Sequence, residues 1–210
     1  MVDLRQKAAL IVEILDECYP MEEECYLRYG EPYELLFATI LSAQCTDERV
    51  NMVTEVLFKK YPTLTAFAQA RQDELEEDVR PTGFYHSKAR NIILSARQLL
   101  LDGGEVPSDI ERLTALPGVG RKTANVVRGH IFRIPSIVVD THVKRVSKKL
   151  GLTAWDDPQK VERDLMEVLP QEHWIRYNLQ IIAHGRKVCR ARGPNCAACC
   201  FAALCVGIKR

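Results

Sequence analysis

Apolar residues recur along this 210-residue chain at intervals of three and four, with no convincing run of strict alternation, so the pattern predicts helices throughout. Leu4, Ala8, Ile11, Val12 and Leu15 line one side of a first helix, which needs a partner to cover that stripe. An acidic connector, Met21–Glu24, follows, and Tyr33 to Ala43 is apolar enough to predict a buried helix. Thr46 or Asp47 caps the next, which runs through Val50, Val53, Val56 and Leu57 towards Tyr61 and stops at Pro62. Short helices fill Thr63 to Val79, Pro81-Thr82-Gly83 is a turn, and a long helix runs from about Ser87 to Leu101 until Gly103-Gly104. Ser108 caps the helix leading into Leu116, and Asp140 begins one that Gly151 closes. Asp157-Pro158 starts another that ends at Pro170, and a last helix spans Gln171 to about Val188. The expected fold class is all-α with short loops.

No apolar run approaches the ~20 residues of a membrane span, and Met-Val-Asp-Leu-Arg opens without the apolar segment of a signal peptide. The expectation is a cytoplasmic protein with no membrane partner, in which eight cysteines serve as metal ligands or buried thiols. The net charge of +1 averages unlike regions. Between Pro117 and Lys149 stand Arg121, Lys122, Arg128, Arg133, Lys144, Arg145, Lys148 and Lys149, against Asp140 alone. From His184 onward there are Arg186, Lys187, Arg190, Arg192, Lys209 and Arg210 and no acid. The opposing charge sits in Glu22-Glu23-Glu24 and Asp73 to Asp78. Such separation suits one polyanion-binding face on a nearly neutral protein.

The basic region contains Leu116-Pro117-Gly118-Val119-Gly120-Arg121-Lys122-Thr123, a glycine turn opening a helix whose free N–H groups suit a phosphate. Gly118 and Gly120 permit positive φ and close backbone approach. A Walker loop is excluded because Arg121 intervenes before the lysine, and a dinucleotide fingerprint because a helix, not a strand, precedes the turn. Taken alone, Lys122 reads as a phosphate contact and Asp140 as the N-cap of its helix. Cys189, Cys196, Cys199 and Cys205 stand in C-x6-C-x2-C-x5-C spacing, which suits either an all-cysteine zinc site or an iron–sulfur cluster. Cys200 offers a second plausible set with Cys196 and Cys205.

Leu116 to Ala124, followed by Val139-Asp140-Thr141-His142-Val143-Lys144-Arg145, closely resembles the helix-hairpin-helix DNA glycosylases, and the likeness runs from about residue 4 to Cys205. The resemblance implies a six-helix barrel domain over 25–135, ending in the hairpin. It implies a second domain joining 1–24 to 136–210, where the cysteines hold a 4Fe–4S cluster. It makes Lys122 a nucleophile and Asp140 its assistant. DNA contacts fall to Gly118, Gly120, Arg121, Thr123 and Lys144, with Arg190 and Arg192 on the cluster loop. Gln44 fills the gap left by an extruded base, and Phe84 stands where the family usually carries a leucine wedge. The implied protein is a monomeric, bifunctional glycosylase and abasic-site lyase for oxidised pyrimidines in double-stranded DNA, nucleoid-associated if bacterial.

The alternatives are a monofunctional mismatch or adenine glycosylase, and a non-catalytic DNA-binding module with a structural metal. A neutral amine is required for attack, yet free lysine has a pKa near ~10.4, and lowering it to about 7 to 8 costs roughly 4 kcal/mol. A helix N-terminus contributes only about 0.3–1 kcal/mol, so the catalytic reading requires a dry, cation-flanked pocket around Lys122.

Overall fold

The structure, a computed structural model, describes residues 3–20 and 25–207. The acidic connector Met21–Glu24 and the terminal Lys209 and Arg210 lie outside the described residues. Among those described there are eleven α-helices and no strand, and the chain divides into two compact units.

One unit comprises Cys25–Arg133. Its centre is α2 (Pro32–Leu41), in which every residue from Leu35 to Leu41 is buried. A helix apolar on all sides must be surrounded, and α3 (Asp47–Lys60), α4 (Leu64–Gln69), α5 (Gln72–Val79), α6 (Tyr85–Leu101), α7 (Ile110–Ala115) and α8 (Arg121–Phe132) share its core. Phe37 and Phe67 meet edge-to-face at 4.9 Å in that core. Thr46 caps α3 through the Arg49 N–H. Gly104 ends α6 with φ +85°, its N–H reaching Leu99 O at 2.8 Å. Asp109, not Ser108, caps α7, accepting from the Arg112 N–H at 2.9 Å. The carboxylate is the stronger acceptor, and the Ser108 carbonyl instead receives Arg128 Nε.

The other unit combines the described residues of Met1–Glu24 with those of Ile134–Arg210. Its first helix, α1 (Leu4–Cys18), buries Ala8, Ile11, Val12 and Leu15, while Leu4 stays 40% exposed. The stripe finds its partners in α10 (Pro158–Val168) and α11 (Trp174–Lys187). A separate 3-10 turn, Gln171–His173, precedes α11, so the expected last helix is broken at its start. Against α11 lies α9 (Thr141–Lys149), pinned by Ser147 Oγ on the buried Tyr177 hydroxyl at 2.8 Å. Gly185 makes that approach feasible, because a Cβ there would overlap the His142 ring.

Candidate functional site

The glycine hairpin runs from α7 into α8 and is held from below by α6. Leu116 and Val119 are buried, and the Val119 N–H closes the turn on Leu116 O. Ser95 Oγ donates to Pro117 O at 2.8 Å, and Asn91 lies so close to Gly118 that a Cβ would meet its Cβ at 2.9 Å. Gly118 adopts φ +79°, whereas Gly120 has φ −93° as the N-cap of α8. The expected positive φ therefore holds at Gly118 alone; what Gly120 contributes is open space, with nothing within 4 Å of an added Cβ. No side chain caps α8 at Gly120, so the first turn presents N–H groups to an incoming anion.

Lys122 is the second residue of α8 and is exposed, as is Arg121; Thr123 is half-buried. The dry pocket expected around the lysine is not provided by the chain, which leaves the ammonium open to water. Asp140 is half-buried at the N-terminus of α9, where Oδ1 accepts the Val143 N–H at 2.7 Å. It is a helix cap, with one carboxylate oxygen left over for other work. Lys144 is half-buried on the same helix. The apolar run before Asp140 has no regular secondary structure, and Val138 O is held by Asn178 Nδ2 from α11.

Two loops in the same unit as the hairpin carry Gln44 and Phe84. Both side chains are exposed, Phe84 to 64%, so the phenylalanine is no core residue. Both backbones sit in the left-handed region, at φ +54° and +51°. Lys88, which sequence reasoning missed, is buried beneath these loops on α6. Burial without a carboxylate partner among the described residues pushes its ammonium below the ordinary lysine range. The signal that could have found it is a lysine falling within the apolar stripe of α6, beside Ala89 and four before Ile92.

Cys189, Cys196, Cys199 and Cys205 together line a cavity of about 80 Å³ with Lys149, Val188, Pro194 and Asn195. Cys200 points elsewhere: it packs with the apolar core of its unit and meets Cys18, and burial pushes its thiol up to about 12. Burial also raises the Cys199 thiol, and the charges of the other three cysteines add to the effect. A single zinc requires its sulfurs about 2.3 Å from one point. Among the described residues no three Cys, His, Asp or Glu side chains converge in that way.

The loop that leads from Cys189 to Cys196 exposes Arg190 and Arg192 and turns at Gly193, φ +63°. It is fastened by Arg145 of α9, whose Nη2 donates to Cys189 O at 2.8 Å, and by Asn195 N–H on Val188 O. At its end, the Cys205 thiol donates to Lys149 O. His184 is buried behind Cys199, taking the Tyr19 hydroxyl on Nδ1 at 2.8 Å and approaching Cys199 Sγ through Nε2 at 3.8 Å. Burial lowers it to about 4, so it stays neutral and structural. Arg145 and Tyr19 carry no sequence signal for these roles.

Residues 37–171 match the family described as HhH-GPD superfamily base excision DNA repair protein. Endonuclease III of Synechocystis sp. is 50% identical over 207 residues, covering 98% of this chain and 94% of that protein. Endonuclease III of Bacillus subtilis is 43% identical over the same shares. Among solved structures, a trapped covalent endonuclease III–DNA intermediate superposes with a TM-score of 0.92 at 44% identity, covering 99% of this chain and 97% of that one. Fold, hairpin and sequence thus agree, and the chain belongs to the endonuclease III family of helix-hairpin-helix base excision repair proteins.

Proposed function

We propose that the protein is a bifunctional DNA glycosylase and abasic-site lyase that removes oxidised pyrimidines from double-stranded DNA as a monomer. The observation that carries this reading is an exposed primary amine, Lys122, two residues beyond the uncapped glycine turn, in a chain so similar to an enzyme trapped covalently on DNA. Phosphates bind the N–H groups after Gly118 and Gly120, with Arg121 and Thr123 in the same turn, and Lys144 of α9 adds a further contact. Arg190 and Arg192 add contacts from the cysteine loop. Gln44 occupies the gap left by the extruded base and Phe84 wedges the stack.

Lys122 Nζ attacks the anomeric carbon, the glycosidic C–N bond breaks, and its electron pair leaves with the base, which takes up a proton. The proton shed by Nζ passes to the free oxygen of Asp140, whose charge also faces the cationic sugar. That proton passes on from Asp140 to O4′ as the C1′–O4′ bond breaks and the sugar opens to a protonated imine. Loss of the C2′ proton then expels the 3′ phosphate and cuts the strand. Lys122 is exposed in the free protein, so in this reading the bound DNA supplies the dry surroundings that the attack needs.

The four cysteines line one cavity and would together hold the 4Fe–4S cluster that the family resemblance implies. Cys189, Cys196, Cys199 and Cys205 would hold the cluster, whose iron would supply positive charge among their sulfurs and so fix the Arg190–Arg192 loop. Borohydride treatment on abasic-site DNA is expected to give a covalent adduct that Lys122→Gln abolishes. No adduct from iron-loaded wild-type protein overturns the lyase reading, and a colourless zinc protein overturns the cluster.

A further inference from the structure

Lys88 is only 4% exposed, yet its ammonium has no carboxylate partner among the described residues. Burying such a charge is costly, and a methionine would fill the same space without that cost. What the lysine does hold is two backbone carbonyls: Nζ donates to Leu41 O and to Thr82 O, both at 2.8 Å. Leu41 is the last residue of α2, and Thr82 is the last residue of the 3-10 turn Arg80–Thr82. Each is a helix-end carbonyl, to which a cation is attracted.

Three residues after the first carbonyl stands Gln44, and two after the second stands Phe84. These are two of the three non-glycine residues with positive φ among those described, the third being Arg133. Left-handed backbone in such residues persists only where the surroundings impose it, and it gathers where a side chain must be aimed. Local bonds steady each loop separately: the Cys45 N–H on Ser42 O, and Ser87 Oγ on Phe84 O at 2.9 Å. The Lys88 ammonium joins the two loops at one point.

We infer that Lys88 is a positioning residue that locks the Gln44 and Phe84 loops in mutual register, so that both side chains enter the duplex together as the base is extruded. This rests on the reading that Gln44 and Phe84 are the inserted residues. Lys88 takes no part in bond making, since two of its three donors are committed to backbone and its amine is shut from substrate.

The test uses iron-loaded protein and a lesion duplex carrying 2-aminopurine beside the damaged base, whose fluorescence rises on unstacking. Lys88→Met is expected to lose most of that rise and to excise the base about tenfold or more slowly in single turnover. Cleavage of a single-stranded abasic oligonucleotide, which needs no base extruded, should fall far less. Adding Gln44→Ala and Phe84→Ala to Lys88→Met should slow excision no further than those two alone. Wild-type fluorescence and rate in Lys88→Met overturn the inference. Should that variant fail to fold, Lys88→Gln, a shorter donor able to reach one carbonyl, is read by the same criteria. If Gln44→Ala and Phe84→Ala themselves leave the fluorescence unchanged, the insertion reading fails; if they abolish it while Lys88→Met does not, only the locking role fails.

Discussion

Asp140 illustrates how one side chain serves two ends. Its Oδ1 is spent on the Val143 N–H, so removing the carboxylate damages the helix and the proposed chemistry together. Asparagine separates them, because it caps a helix about as well as aspartate but can neither take a proton nor carry charge. Asp140→Asn is expected to keep the denaturation midpoint of the wild type while base excision falls steeply. Asp140→Ala is expected to lose excision and, in addition, about 1 kcal/mol of stability by urea titration. Wild-type excision in Asp140→Asn would reduce the residue to a cap. Lys122, expected in a dry pocket, is exposed, and in the proposed reading it is the DNA that dries it. Residue types and spacing indicate an amine and a carboxylate at two helix starts, but not how much water surrounds either.

Among the elements, the hairpin depends on a neighbour that its own sequence does not contain. Gly118 needs both its φ of +79° and its missing Cβ, since Asn91 of α6 presses against it. Gly118→Ala is expected to cost more than the roughly 1–3 kcal/mol of a left-handed alanine, because α6 must also yield. The effect should appear as weaker binding to an undamaged duplex as well as a lowered melting temperature; unchanged affinity would free the hairpin from the phosphate role. Gly120 is opposite in kind, since an added Cβ meets nothing in the free protein. In the other unit, Gly185 sits inside α11, where alanine normally adds about 0.5–1 kcal/mol of helix stability. Here Gly185→Ala is expected to destabilise, measured by thermal unfolding, because the methyl group would displace His142 and Arg145 of α9. The α1 stripe, the caps at Thr46 and Asp157 and the stop at Gly104 follow directly from residue order. That Asp109 and not Ser108 caps α7 shows only in the folded chain.

For the molecule as a whole, charge and cofactor set the terms. With a formal charge of +1 and basic residues gathered near the hairpin, α9 and the cysteine loop, DNA affinity should fall steeply with salt. The logarithmic slope is expected to shrink by about 0.9 for each phosphate that is no longer neutralised. Replacing Arg190 and Arg192 with glutamine therefore should flatten it by up to about two such steps; an unchanged slope removes the loop from the interface. Stripping iron should loosen the loop that Cys189 and Cys196 bracket. Trypsin is expected to cut after Arg190 and Arg192 faster in iron-free protein than in loaded protein, while equal rates would deny the cluster its structural role.

Residue order alone is enough to specify the helical class, the glycine turn with its lysine, the aspartate start of α9 and the grouping of four cysteines, because each rests on short-range spacing. It took the folded chain to separate Cys199, which shares the cavity, from Cys200, which does not, to expose Phe84, and to join the loops of Gln44 and Phe84 through a buried lysine. Those outcomes depend on which surfaces meet once the chain has turned back on itself. Neighbouring cysteines of identical chemistry, or a lysine within an apolar stripe, acquire their roles from partners dozens of residues away.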